Sequence, residues 1–183
     1  MITSRVSKRY AKALLSIGRE DGKYQQYGED LRDFSEFFQL NPEFAQAVTN
    51  PIFELEDRKT ILNLLLDKTR YSETVKNFLN VLLDKKRLGR IPGIYAFYEK
   101  LMDDVGNIAR AEVITPRPLR EDARRRLEKV LEEVTSRKVK MVAREDEALI
   151  GGIVVKIGDL VLDGSIRAQL EGLKESLKRG EYR

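Results

Sequence analysis

Residues 148–177 have the sequence ALIGGIVVKIGDLVLDGSIRAQLEGLKESL, and this stretch decides the fold of the second half of the chain. Apolar side chains alternate on both sides of Gly158-Asp159, which is typical of a β-hairpin, because glycine accepts the positive φ of a two-residue turn. Ser165 stands where a helix would begin, and its hydroxyl can accept a bond from an early backbone N–H. The stretch therefore predicts two strands, a tight turn and a last helix. The apolar stripe of that helix consists of residues at spacings of 4, 3 and 4: Ile166, Leu170, Leu173 and Leu177.

Two further strands are predicted upstream of the hairpin. Apolar and charged residues alternate over 109–113 and again over 138–141, and a long amphipathic helical pattern over 119–134 lies between them. The order β-α-β-β-β-α predicts a small α/β layer in which helices pack on a sheet. The period of the apolar pattern changes at Gly106, so we expect a second domain over residues 106–183.

The first 105 residues carry apolar side chains at helical spacing. They form six helical segments, with Asn-Pro pairs at 41–42 and 50–51 among the interruptions. An aromatic stripe on the second segment has helical period and is more often core than a binding platform. Ser72 is expected to cap the fifth segment, with Lys85–Arg87 in its last turn. The sequence thus predicts an α+β protein with a six-helix bundle over 1–105 and an α/β domain after it.

Composition excludes several classes of function. The 183 residues include neither Cys nor His, which removes disulfides, thiol nucleophiles, structural zinc sites and histidine acid–base catalysis. Contents of 42% hydrophobic and 35% charged residues indicate a folded globular protein. The longest uncharged stretch, residues 44–53, contains Pro51, whereas a membrane-spanning helix needs about 20 residues. We expect no direct membrane insertion and no cofactor.

Neither a phosphate-binding loop nor a carboxylate active site is favoured. A phosphate loop needs Lys-Ser or Lys-Thr after its glycines at the start of a helix, whereas Gly151-Gly152 precedes a strand. Asp159 and Asp163 would suit acid–base work, but aspartate is commoner as a turn former and no nucleophile or metal-ligand set accompanies them. We therefore predict that the chain is not an enzyme.

The basic segment Arg117–Arg126 offers an alternative function. Clustered arginines of this kind are typical of RNA-binding or ribosome-associated modules. Acidic residues interleave with them on the same predicted helix, which favours i,i+4 pairing on a solvated face. The overall charge of +4 is spread over both halves and gives no strong nucleic-acid footprint. We expect no nucleic-acid partner and keep RNA binding as the alternative.

Several blocks of the chain resemble the delta subunit family of F-type ATP synthases, whose mitochondrial counterpart is the oligomycin-sensitivity-conferring protein. Residues 149–177 are similar to the family's glycine-rich C-terminal signature, which is specific. Arg9–Leu14, RYAKAL, is similar to its opening helix, residues 77–88 to its fifth-helix block, and Ser136–Val139 to a strand of its second domain. The resemblance covers about residues 5–178, and the absence of a presequence suggests a bacterial member.

The resemblance implies a non-catalytic stator subunit of the proton-translocating ATP synthase. One copy per complex would lie on the cytoplasmic side of the bacterial plasma membrane as a peripheral protein. Residues 1–105 would bind the N-terminal segments of the alpha subunits in a helix-in-groove mode. Residues 106–183 would bind the peripheral-stalk b and b-prime subunits, so that the catalytic head resists the torque of the rotor.

The resemblance also implies where these partners bind. The first and fifth helices would form the alpha-binding groove, although ordinary packing within the bundle is a competing interpretation of the same residues. The candidates there are Tyr10, Ala13, Leu14, Asn77, Asn80 and Val81. For the stalk, the candidates lie on the hairpin, the following turn and the last helix: Gly158, Asp163, Gly164, Arg167 and Lys174. One interpretation places the apolar stripe of the last helix in the core and its charged side against the stalk, and the sequence does not decide between the two faces.

Overall fold

The computed structural model describes residues 4–179, and in that part of the chain it contains eight α-helices and four β-strands. This composition confirms the predicted α+β class. The chain divides into two compact units, Met1–Met102 and Asp103–Arg183. The first unit is built from α1 (Arg5–Glu20), α2 (Tyr24–Leu40), α3 (Pro42–Thr49), α4 (Leu55–Leu66), α5 (Glu73–Asp84), a 3-10 turn (Leu88–Arg90) and most of α6 (Ile91–Val105).

The helices of the first unit share one apolar core. Each of α1 to α6 contributes at least one buried side chain at helical spacing, and full burial of such a side chain stabilises the fold by about 1.5–3 kcal/mol. The predicted aromatic stripe of α2 lies in this core, with Tyr27 and Phe34 almost fully shielded from solvent. Other members of the core are Leu14, Leu31, Val48, Leu62, Leu79 and Tyr98.

The start of α5 differs from the prediction. Ser72 occupies the N-cap position, but its side chain makes no capping bond. Instead its hydroxyl donates to Asp30 Oδ2 at 2.7 Å and its N–H donates to the same oxygen at 2.9 Å. The hydroxyl thus joins α5 to α2, and its bond to the carboxylate is charge-assisted.

The end of α5 also differs from the prediction. The helix stops at Asp84, so Lys85–Arg87 follow it and do not form its last turn. Lys86 adopts a left-handed conformation with φ 56°. Its N–H donates to Leu83 O at 2.9 Å, and the N–H of Arg87 donates to Leu82 O at 2.7 Å. These two bonds form a Schellman motif, which usually has glycine where this chain has Lys86.

The second unit contains one mixed four-stranded sheet in the order β2-β1-β3-β4. β1 pairs in parallel with β2 through the crossover helix α7, and antiparallel with β3. β3 and β4 form the hairpin, in which Ile157 pairs with Leu160 across Gly158-Asp159. The elements are β1 (Ile108–Thr115), α7 (Glu121–Thr135), β2 (Lys138–Glu145), β3 (Val154–Ile157), β4 (Leu160–Asp163) and α8 (Ile166–Arg179).

A second, smaller core lies between α7 and one face of this sheet. The buried set consists of Leu131 of α7, Ala109, Ala111 and Val113 of β1, Val139 of β2 and Val155 of β3. The residues that alternate with these on β1 include Arg110 and Glu112, which face away from the core because successive side chains of a strand point to opposite sides.

Candidate partner-binding surfaces

The first and fifth helices meet through an aromatic contact. The rings of Tyr10 on α1 and Phe78 on α5 lie edge to face, with centroids 6.2 Å apart and an interplanar angle of 70°. Both rings are half-buried and pack against the core of the first unit. This contact sets α1 beside α5, and both helices also carry exposed residues.

The structure separates the six residues predicted for the alpha-binding groove. Ala13, Asn77 and Val81 are exposed, and Val81 keeps 45% of its surface in solvent. Leu14 is fully buried, so it belongs to the core and is unavailable to a partner. Asn80 is partly buried and its amide donates to Asn63 Oδ1 at 3.0 Å and to Lys76 O at 3.1 Å, so it ties α5 to α4.

One residue of this region was not among the predicted site residues. Ile17 lies one helical turn after Ala13 and is 46% exposed, although it is a large apolar side chain. Its spacing from Tyr10 and Ala13 places the three on one stripe of α1, and that spacing is the signal that identifies it. We define the α1/α5 surface as Tyr10, Ala13, Ile17, Asn77 and Val81.

The apolar stripe of α8 is not part of a core. Its four members are exposed by 41 to 57%. Every described side chain from Ile166 to Lys178 is exposed except that of Ala168. The interpretation that placed this stripe in the core is therefore wrong, because helical spacing shows that a face is apolar but not what covers it. We define the α8 stripe as Ile166, Leu170, Leu173 and Leu177.

The start of α8 is held by backbone contacts to the loop before β3. Ser165 caps the helix as predicted, since its Oγ accepts from the N–H of Ala168 at 3.1 Å. The N–H of Ile166 donates to Gly151 O at 3.0 Å, and the N–H of Gly164 donates to Ile153 O at 2.9 Å. These bonds anchor the first turn of α8 to its own unit and leave the rest of the helix with exposed sides.

Glycine is required at this junction by space as well as by conformation. Gly152 has φ 88°, and a Cβ built on it would lie 2.3 Å from Gly164 O and 2.8 Å from Ser165 Cα. A Cβ on Gly151 would lie 2.5 Å from Ile166 Cδ1, which is the end of a side chain that can move, so the requirement for glycine is stronger at Gly152. Gly151 and Gly152 therefore allow the loop before β3 to pack closely against the start of α8, and they form no phosphate loop.

The five residues predicted for the stalk have different structural roles. Asp163 Oδ1 accepts from the N–H of Ser165 at 2.9 Å, and that backbone bond lowers the pKa of the Asp163 carboxyl. Asp163 and Gly164 thus shape the junction, while Gly158 has φ 58° in the hairpin turn. Arg167 and Lys174 are exposed, and by helical geometry both border the α8 stripe on the same side.

The edge strand β4 extends the exposed apolar surface of this unit. Register places Leu160 opposite Ile157 and Leu162 opposite Val155, so the two leucines share the sheet face that α7 covers over β1 and β2. They are nevertheless 46% and 41% exposed. Exposed apolar side chains on an edge strand are unusual, since such surfaces promote aggregation unless they are covered.

The acidic and basic residues considered as chemical sites lie exposed at the surface of the described part of the chain. Residues 4–179 hold no group of three or more acidic side chains placed to bind a metal. Asp159 in the hairpin turn and Asp163 at the end of β4 are both exposed to solvent. On α7, Arg125 pairs with Glu121 at 3.3 Å and Arg126 with Asp122 at 2.7 Å, which is the i,i+4 pattern expected of a solvated face. No described helix is long and apolar enough to cross a membrane.

Three comparisons with known proteins each match almost the whole chain, and their results agree with one another. The family model described as ATP synthase delta (OSCP) subunit matches residues 6–177. The ATP synthase subunit delta of Desulfatibacillum aliphaticivorans is 44% identical over 177 residues, which cover 97% of each chain. That of Desulfosudis oleivorans is 40% identical over 176 residues, 96% of each. A chain in the Toxoplasma gondii mitochondrial ATP synthase hexamer matches 95% of this chain and 98% of its own length, with a TM-score of 0.69. The two sequences are 16% identical, so this similarity shows the fold alone. The chain belongs to the ATP synthase delta (OSCP) subunit family.

Proposed function

We propose that this subunit ties the catalytic head of ATP synthase to the peripheral stalk through two separate surfaces. As a member of the delta family it is a non-catalytic stator subunit, and nothing among its relatives supports the alternative of RNA binding. Residues 1–105 act as a six-helix bundle on the N-terminal segments of the alpha subunits. Residues 106–183 bind the b and b-prime stalk subunits. One copy serves each complex, on the cytoplasmic side of the bacterial plasma membrane.

The α1/α5 surface supports the head-side assignment. Ala13 has the small side chain that lets a partner helix approach closely, and the apolar Ile17 on α1 and Val81 on α5 remain about half exposed. Asn77 adds an exposed amide that can bond a partner side chain. A small residue between the larger Tyr10 and Ile17 on one stripe of α1 suits an amphipathic helix in the helix-in-groove mode.

The exposed α8 stripe is the observation that carries the stalk-side assignment. Four large apolar side chains at 41 to 57% exposure along one helix would leave a contiguous apolar strip in water. Burying a leucine fully is worth about 1.5–3 kcal/mol, so a helix that covers the stripe gains several such contributions. Arg167 and Lys174 border the stripe and favour a partner helix with an acidic flank.

A pair of binding measurements on the full-length chain tests both assignments. One probe is a peptide of the alpha N-terminal segment, and the other is a peptide of the C-terminal segment of b. Ala13→Arg is expected to weaken binding of the alpha peptide at least tenfold and to leave the b peptide unaffected. Leu170→Glu is expected to give the reverse result. Each variant is the control for the other, and equal effects on both peptides, or none, would overturn the assignment.

A further inference from the structure

A cavity beside the end of α5 is lined by four cationic residues. Its volume is about 190 Å³, and its charged lining consists of Arg58, Lys86, Arg87 and Arg90. No aspartate or glutamate is among the described residues that line it, and its remaining lining is apolar or small. Four positive charges around one small space repel each other, so an anion bound among them would lower the electrostatic energy of the fold. We call this space, together with the four cationic residues that line it, the cationic cavity.

Arg58 is the most informative member of the cationic cavity. It is only 5% exposed, and a buried guanidinium is normally paired with a carboxylate. Within residues 4–179 its side chain makes one hydrogen bond, from Nε to Glu54 O at a long 3.5 Å, and no ion pair. A buried charge in this condition is costly, and the cost is relieved if the cavity that it lines holds an anion.

Lys86 provides a second observation that points the same way. A lysine with φ 56° is strained, and glycine is the residue usually found at this position of a Schellman motif. The turn brings Lys86 and Arg87 to the cavity directly after α5, and Arg90 reaches it from the 3-10 turn. Described side chains form no ion pair with any of these three. A strained cation that faces other cations has no evident role in stability.

We propose that the cationic cavity binds a phosphate-class oxyanion. Arginine side chains present forked N–H donors that match phosphate oxygens, and a lysine adds a mobile point charge. The volume is below the roughly 300–1,000 Å³ of pockets for drug-sized ligands, which favours free inorganic phosphate over a nucleotide. This inference stands on residues outside the α1/α5 surface and outside the α8 stripe, and it does not depend on the proposed partners.

Calorimetric titration of the full-length chain with inorganic phosphate tests the proposal, with chloride used to hold ionic strength constant. We expect saturable binding with one phosphate per chain. Arg90→Gln and Arg87→Gln should each weaken it by about tenfold or more, because each removes a charge-assisted bond. Arg90 is exposed, so its variant should fold normally. Circular dichroism of each variant verifies that it is folded.

Lys85→Gln is the matched control. Lys85 is an exposed cation next to Lys86 that does not line the cavity, so its variant should bind phosphate as the natural chain does. An equal loss in Lys85→Gln and Arg90→Gln would mean that only net charge matters and would overturn the site. So would absence of saturable binding, or binding that Arg90→Gln leaves unchanged.

The same titration with ADP distinguishes the source of the phosphate group. Weaker binding of ADP than of inorganic phosphate is expected, because the proposed ligand is a free phosphate group and the rest of ADP would not fit among the four cations. Tighter binding of ADP that is lost in Arg90→Gln would overturn the assignment to free phosphate, since the phosphate would then belong to a nucleotide. Sulfate, a second tetrahedral oxyanion, should compete with phosphate, and failure to compete would overturn the class of ligand proposed.

Discussion

Asp30 on α2 holds the first residue before α5, since its Oδ2 accepts a 2.9 Å bond from the N–H of Ser72 and a 2.7 Å bond from the Ser72 hydroxyl. Asp30→Ala would leave both donors without this acceptor in a partly buried place. We expect a loss of about 1–3 kcal/mol in the free energy of unfolding, measured by denaturant titration.

Asp33→Ala is the control for this prediction. Asp33 pairs with Arg32 at 3.2 Å on the same helix, but both side chains are about half exposed. Exposed pairs contribute at most about 1 kcal/mol. If Asp33→Ala destabilises the chain as much as Asp30→Ala does, the link between α2 and α5 is not the source of the effect.

The Tyr27 hydroxyl donates to the carboxylate of Asp21 and lies 3.0 Å from the Thr74 hydroxyl oxygen. The bond from Tyr27 is the main cause that lowers the pKa of Asp21 below 3.8. At pH values between the lowered pKa of folded Asp21 and its ordinary pKa of 3.8, the unfolded chain binds more protons than the folded chain. The contribution of Asp21 to stability is therefore present above pH 3.8 and is lost as the pH falls through the lowered pKa.

Tyr27→Phe should reduce this acid sensitivity. We expect the free energy of unfolding of the variant to fall less steeply than that of the natural chain between about pH 5 and about pH 2. Tyr24→Phe is the comparison, because the one side-chain bond of the Tyr24 hydroxyl within residues 4–179 is a long contact of 3.5 Å with Gln25. Identical slopes for Tyr27→Phe and the natural chain would contradict the role given to the Asp21 bond.

Lys86→Gly should stabilise the fold while it impairs the proposed phosphate site. Glycine adopts the left-handed conformation without the cost of about 1–2 kcal/mol that other residues have, although part of this gain is offset by the greater freedom of glycine in the unfolded chain. We expect a net gain of about 0.5–1 kcal/mol in thermal or denaturant unfolding, together with weaker phosphate binding.

Lys85→Gly provides the contrast. Lys85 has φ −81° and ψ 5°, which any residue adopts, so glycine there should give no gain in stability. If Lys86→Gly is not more stable than Lys85→Gly, the backbone of residue 86 is not strained. The stability result and the phosphate result are separate measurements, so either can fail alone.

Local patterns predicted most elements of this fold. Alternation over 109–113 identified β1, and Gly158-Asp159 identified the turn between β3 and β4, because both depend on neighbours in the sequence. The apolar spacing that indicated α8 was also local. Interactions between distant parts of the chain were not predictable in this way: the acceptor of Ser72 lies 42 residues earlier, so the pattern at the start of α5 could suggest only a cap.

The candidate partner-binding surfaces were also predicted only in part, because burial depends on contacts between distant parts of the chain. Spacing placed Tyr10, Ala13 and Leu14 near one another on α1, but only burial separates the core residue Leu14 from the exposed Ala13. Amphipathicity predicted the α8 stripe and could not tell whether its own chain covers it. The cationic cavity was missed because Arg58 and Lys86 are 28 residues apart and meet only in the folded unit.

Gly152 and Gly158 offer a matched pair of substitutions that tests the junction at the start of α8. Both have positive φ, at 88° and 58°. A Cβ on Gly152 would meet Gly164 O at 2.3 Å, whereas a Cβ on Gly158 would meet nothing within 4 Å. Gly158→Ala should therefore cost only about 1–2 kcal/mol, the price of the left-handed conformation. Gly152→Ala should cost more, because the backbone of the junction must also move.

The displacement in Gly152→Ala should reach the function of the subunit. Ile166 N–H donates to Gly151 O, so movement of this loop shifts the first turn of α8 and the stripe that follows it. We expect Gly152→Ala to weaken binding of a b C-terminal peptide while leaving an alpha N-terminal peptide bound as before, and Gly158→Ala to affect neither. Binding measured at a temperature where circular dichroism shows both variants folded separates this effect from unfolding. Unchanged binding of the b peptide to a folded Gly152→Ala variant would mean that stalk binding does not depend on how the loop at Gly151-Gly152 holds the start of α8.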